Sequence, residues 1–209
     1  MAETKKTTNE TKKAAATAKG ARGKRAEALG ETPKITHNCA VATFEKVSFE
    51  QYEKDFRDTY GEDFDRVQIK DIYDAIKLPQ RATKGSAGYD FFAPQNINLA
   101  PFGVAKIPTG IRVKIDSGWF LGIVPRSGLG FKYKAQLYNT LGVIDSDYYS
   151  SSNEGHIFIK ITNGNHENNA FSVKRGDGFA QGIFLMYGIT TDDDTDGIRD
   201  GGFGSTTGK

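Results

Sequence analysis

Long apolar runs are missing from this chain of 209 residues. No stretch approaches the roughly 18 consecutive apolar residues that read as a membrane-spanning helix, and the opening residues lack the apolar core of a secretion signal. A soluble, cytoplasmic protein is the expectation. Cysteine is nearly absent: Cys39 is the only one, which excludes an internal disulfide. With His37 as its sole near neighbour, it falls short of the roughly four ligands of a structural zinc site. Net charge is also small. The formal +2 hides an uneven distribution, because residues 1–30 hold eight Lys/Arg against three Asp/Glu and the remainder is slightly acidic. What remains is ordinary enough: a hydrophobic fraction of 37% can bury a core in about one domain.

The pattern changes three times along the chain. Residues 1–32 are Lys, Ala, Thr, Gly and Glu with almost no large apolar side chain, so ordering them would cost backbone entropy with nothing buried in return. This reads as a disordered basic tail. It could serve solubility, or make weak nucleic-acid contacts through Lys12, Lys13, Lys19, Arg22, Lys24 and Arg25. Residues 33–76 form a small α/β accessory segment: a β-like piece at Ala40–Phe44, a helix that Ser48 caps with Gln51 three residues on, and a second helix near Val67–Ile76. From Leu78-Pro79 onward, Ile111, Val113 and Ile115 alternate with Arg112 and Lys114, and Ile157, Ile159 and Ile161 alternate with Phe158 and Lys160. Period-two patterning broken by Gly and Asn/Asp clusters predicts an all-β core, 77–190, of the sandwich, barrel or jelly-roll kind, with no helix-length period inside it. Residues 191–209 read as a flexible glycine-rich arm, reached through the solvated run Asp192–Asp196.

Five short segments carry chemistry. Ser86-Ala87-Gly88-Tyr89-Asp90-Phe91 is a small-residue turn entering a strand with one acid among aromatics. Pro125-Arg126-Ser127-Gly128 ends a strand with a guanidinium, a hydroxyl and a glycine, donors that suit phosphate oxygens. In Asn139-Thr140-Leu141-Gly142-Val143-Ile144-Asp145-Ser146-Asp147-Tyr148-Tyr149 an apolar run, an acidic turn and an aromatic pair predict a buried hairpin with a carboxylate at its tip. Gly176-Asp177-Gly178-Phe179-Ala180-Gln181 opens an apolar strand in which Gln181 needs hydrogen-bond partners. Last, Arg199-Asp200-Gly201-Gly202-Phe203-Gly204-Ser205-Thr206 is no Walker loop, because only three residues separate Gly204 from Gly208.

In this order and at these separations the five segments resemble those of the homotrimeric deoxyuridine triphosphatases (dUTPases), over roughly residues 77–209. The resemblance implies a β-clip-type jelly-roll subunit and a homotrimer with shared active sites. It implies hydrolysis of dUTP to dUMP and pyrophosphate with Mg²⁺, which keeps uracil out of DNA. By the same resemblance Asp145 is the general base and Asp90 holds Mg²⁺ mainly through water. Gln181 lies by the α-phosphate, while Arg126, Ser127 and Gly128 bind phosphate. Asn139 and the backbone of Gly142, Val143 and Ile144 read uracil, Tyr148 lies against the deoxyribose, and Phe158 completes the pocket. Phe203 stacks on the base, with Arg199, Gly204, Ser205 and Thr206 on the outer phosphates.

The chain departs from the family pattern by the insert Ser150-Ser151-Ser152-Asn153, by Gly178 where Arg is common, by an Arg199 one residue nearer Phe203, and by an extra Thr207. These put the hairpin geometry, the role of Glu154 and the reach of Arg199 in question. Two rivals stay open: dCTP deaminase or its bifunctional form, which share the fold, and a non-enzymatic nucleotide-gated binder.

Overall fold

The computed structural model describes residues 40–165, 169–197 and 199. The basic tail and Phe203, Gly204, Ser205 and Thr206 of the arm lie outside the described residues. The described residues from Val41 onward form one compact unit. Twelve strands make up most of its regular structure among the described residues: β1 (Ala42–Lys46), β2 (Gln80–Arg81), β3 (Tyr89–Phe92), β4 (Ile97–Leu99), β5 (Val104–Pro108), β6 (Ile111–Ile115), β7 (Trp119–Pro125), β8 (Ala135–Leu137), β9 (Gly142–Ile144), β10 (Phe158–Asn163), β11 (Phe171–Val173) and β12 (Gly178–Met186). They pair antiparallel in the orders β2-β3-β12-β7-β9, β5-β10-β8, β1-β6 and β4-β11. The fold is all-β and jelly-roll-like, with helices in two places.

Alternation places the core. Ile111, Val113 and Ile115 are buried on β6 while Lys114 is exposed, and Ile159 and Ile161 are buried on β10 around an exposed Lys160. In the five-stranded sheet one face carries Phe91, Leu121, Ile123 and Ala180 into the core. Side chains on the other face include Asp90, Gln181 and Val124, since Asp90 and Val124 each stand opposite Gln181 in the two ladders of β12.

The accessory segment is tied into this body. β1 pairs with β6 from Ala42–Ile115 to Lys46–Ile111. Helix α1 (Phe49–Tyr60) buries Tyr52 and Phe56, and α2 (Arg66–Asp74) buries Ile69, all within the same core as the strands. Burying each such side chain contributes about 1.5–3 kcal/mol. Ser48 does cap α1, its Oγ accepting from the Gln51 N–H at 3.1 Å. Gln51 does not complete a capping box, because its amide turns to Asp55 at 2.9 Å. The Ser48 N–H goes instead to Glu154. A full box occurs at α2, where Asp65 and Gln68 exchange bonds of 2.8 and 2.9 Å.

Two expectations are corrected. The β region is interrupted by a helix, α3 (Ser127–Tyr133), and by a 3₁₀ turn at Ser146–Ser150. Neither shows a helical period, since one spans seven residues with two glycines and the other only five. The segment around Asp145 is also not a buried hairpin. β8 pairs with β10 and β9 with β7, so the chain crosses between sheets, and Val143 is 51% exposed.

Candidate active site

Residues singled out in the sequence gather in two clusters. The first sits on β3, β12 and the end of β7. Asp90 stands opposite Gln181, and its carboxylate meets Arg126 Nε at 3.2 Å. Arg126 also donates to the Gly178 carbonyl at 3.2 Å. A side chain at 178 would come within 2.8 Å of that guanidinium, so the glycine gives Arg126 the room an arginine there would take. Gly88 plays a similar part: a Cβ on it would lie 2.3 Å from Gln181 Oε1. Ser127 and Gly128 follow as the exposed first residues of α3.

The second cluster lines a cavity of about 280 Å³ formed by Asn139, Leu141, Gly142, Val143, Ile144, Tyr148, Phe158 and Arg199. β9 brings its three residues there by pairing with Leu121–Ile123 of β7. Gly142 lies so close to Ile123 that a Cβ would meet it at 3.1 Å. Tyr148 is buried, and its hydroxyl donates to the His156 carbonyl at 2.9 Å while accepting from Asn153 Nδ2 at 2.8 Å. Burial pushes that hydroxyl up against the opposing effect of the Asn153 bond, so it stays neutral. Asp145 follows β9 directly, next to the cavity-lining Ile144. Its carboxylate pairs with Arg199, which also bonds Asp147 through Nε at 2.8 Å.

The two clusters do not meet within the chain. Gln181 stands opposite Val124 and Ile144 opposite Leu121, so they lie on opposite sides of β7 and roughly 10 Å apart along it.

Sequence reasoning missed a third group. Glu154, following the serine-rich insert, accepts from Ser48 Oγ at 2.6 Å and Ser48 N at 2.7 Å, and faces Arg112 Nη1 at 3.8 Å. Its burial would raise the carboxyl, but the two Ser48 bonds and the Arg112 charge outweigh that and hold it below the ordinary value. Glu154 therefore latches the insert to α1. Beside it His156, fully buried, meets Asp55 of α1 at 2.5 Å. The only signal for either was polar residues before an isoleucine-rich strand.

The dUTPase family model matches residues 74–207. The chain belongs to the dUTPase family. Among relatives, the deoxyuridine 5'-triphosphate nucleotidohydrolase of Lactococcus lactis is 37% identical over 134 residues, covering 63% of this chain and 88% of that protein. The enzyme of the same description from Dictyoglomus turgidum is 36% identical over 150 residues, covering 68% and 97%. Among solved structures, the dUTPase from Streptococcus mutans superposes with a TM-score of 0.51 at 26% identity, over 70% of this chain and 97% of the other. The dUTPase of Staphylococcus bacteriophage 80alpha reaches 0.53 at 19% identity, over 80% and 98%, a likeness of fold. The matched segment contains the cavity and both clusters; Ser48 and Asp55 fall before it.

Proposed function

We propose that this chain is a dUTP diphosphatase, hydrolysing dUTP to dUMP and pyrophosphate. The observation that carries this reading is one cavity that holds Asn139, Gly142, Val143, Ile144, Tyr148 and Phe158 together with Arg199, the partner of the Asp145 carboxylate. In the reading, Asn139 and the β9 backbone bind the uracil edge, and Tyr148 covers the deoxyribose and crowds a ribose 2′-hydroxyl. Asp145 takes a proton from the water that attacks the α-phosphorus, the task of an ionised carboxylate near neutral pH. Arg199 is engaged by Asp145 and Asp147. Transfer of its guanidinium to a triphosphate, a stronger anion, would free Asp145 to act as base.

The donor set suits Mg²⁺ of a particular kind. Among the described residues no cluster of three or more His, Cys, Asp or Glu could hold a metal on protein ligands alone. Asp90 supplies one carboxylate with Gln181 beside it, which fits a hard cation that keeps several waters and takes further oxygens from substrate phosphates. Bound in this way, Mg²⁺ would neutralise charge on the departing pyrophosphate. Arg126, Ser127 and Gly128 provide phosphate donors from the same cluster.

Separation of the clusters supports a homotrimer in which Asp90, Arg126 and Gln181 of one subunit complete the cavity of another, as a closed ring permits. The test is pyrophosphate release from each deoxynucleoside triphosphate and from UTP, with and without Mg²⁺. Release from dUTP alone, dependent on Mg²⁺, is expected. Release of ammonia from dCTP, or no product from dUTP, would reject the assignment.

A further inference from the structure

Asp55 lies on α1, before the family-matched segment, yet it is joined to the nucleoside cavity through one buried histidine. The His156 ring has two partners. Its Nε2 faces the Gly110 N–H at 2.8 Å, and a backbone N–H can only donate, so Nε2 must carry the lone pair. The proton is therefore on Nδ1 and is donated to Asp55 Oδ2 at 2.5 Å, which fixes both the tautomer and the ring orientation. Gln51 Nε2 holds the same oxygen from the preceding turn of α1 at 2.9 Å.

Gly110 cannot readily be another residue. Its φ is +73° and a Cβ would fall 2.3 Å from Ile76 Cδ1, so the accessory segment rests directly on this turn. Thr109 beside it donates to the Ile157 carbonyl at 2.6 Å, which ties the turn to the residue after His156.

From His156 the connection runs to two cavity walls. The imidazole packs on the Phe158 ring with centroids 4.6 Å apart, and the His156 carbonyl receives the Tyr148 hydroxyl at 2.9 Å. Asn153 of the serine-rich insert makes the other bond to that hydroxyl. Both Tyr148 and Phe158 line the cavity. We propose that Asp55 and His156 are positioning residues that hold Tyr148 and Phe158 in place, so that the accessory helix sets how sharply the cavity distinguishes deoxyribose from ribose. The proposal rests on the nucleoside reading of the cavity. It differs from a purely structural pair in one respect: its loss should alter sugar preference and not only stability.

The experiment compares the parent with Asp55→Ala, Asp55→Glu and Asp55→Asn, measuring dissociation constants of dUMP and of UMP together with the thermal midpoint. Asp55→Ala removes the acceptor and Asp55→Glu displaces it by one methylene. Each should lower the dUMP-over-UMP preference by about three- to tenfold, the range spanned by one net hydrogen bond. Asp55→Asn keeps an oxygen acceptor for Nδ1–H and should restore most of the preference. Unchanged preference in a folded Asp55→Ala or Asp55→Glu protein, whatever its thermal midpoint, overturns the proposal, and the glutamate variant serves if the alanine variant does not fold. A parent that binds neither monophosphate overturns the nucleoside reading itself, a result distinct from a parent that discriminates and variants that do so equally well.

Discussion

The Asp145 carboxylate is 42% exposed and shares Arg199 with Asp147, a placement at once open to water and held in register by charge. Replacing it with an amide keeps the shape and removes the ability to accept a proton. Asp145→Asn is expected to lower kcat by about 10²–10⁴-fold and leave dUMP binding within a few-fold; a rate near that of the parent in a pyrophosphate-release assay would assign the base elsewhere. Gly88 offers a milder test in the other cluster. Alanine there would meet the end of the Gln181 side chain, which can rotate away, so stability should hold while Gln181 leaves its place. Gly88→Ala should reduce turnover on the order of 10²-fold, the scale for losing one donor to developing charge, with an unchanged thermal midpoint. Turnover equal to the parent's would remove Gln181 from the reaction.

At the level of elements, the strands were legible because half-buried sheets impose a period of two, and Ile111–Ile115 obeys it. Helix α1 was legible from Ser48 and from the spacing of Phe49, Tyr52 and Phe56. α3 was not, since a seven-residue helix with two glycines shows no period. The cavity residues were legible as a group through their resemblance to a family, but the Glu154 and Asp55 contacts were not. They join positions about a hundred residues apart, and neither charge pattern nor spacing marks such pairs.

The Glu154 contact has a pH signature. Glu154 lies below its ordinary value of 4.5, so the unfolded chain takes up this proton first as the solution is acidified. The stability contributed by the latch is present in full above the ordinary value and is lost as pH falls through the lower folded value. Glu154→Gln removes the titrating group. Its thermal midpoint should be lower than the parent's at pH 7, and the gap should close as pH falls below about 4.5. A gap that stays constant with pH would show that Glu154 acts by packing alone.

For the whole molecule, the outer face of the five-stranded sheet raises the question of what covers it. Leu185 and Leu141 both lie over Gly122, with Cδ atoms 3.4 and 3.5 Å from where its Cβ would be. Leu185 is 42% exposed, and Val143, opposite Gly122, is 51% exposed. Along the same face stand Gln181 and Asp90, so an apolar surface runs into a polar cluster. Contiguous apolar patches of this kind mark interfaces more often than free surface, and a threefold arrangement would bury the leucines while bringing Asp90 and Gln181 to a neighbour's cavity. If so, a carboxylate placed among the leucines should break assembly and activity together. Leu185→Asp is expected to shift the mass in solution from three chains to one of 22.9 kDa and to abolish turnover, because each separated subunit retains a cavity without the phosphate cluster that completes it. Binding of dUMP should weaken far less, since Asn139, Tyr148 and Phe158 come from one chain. Sedimentation equilibrium, turnover and dUMP titration on the same preparation separate the possibilities: an active monomer would place both clusters in one functional site, and an intact trimer would move the interface off this face.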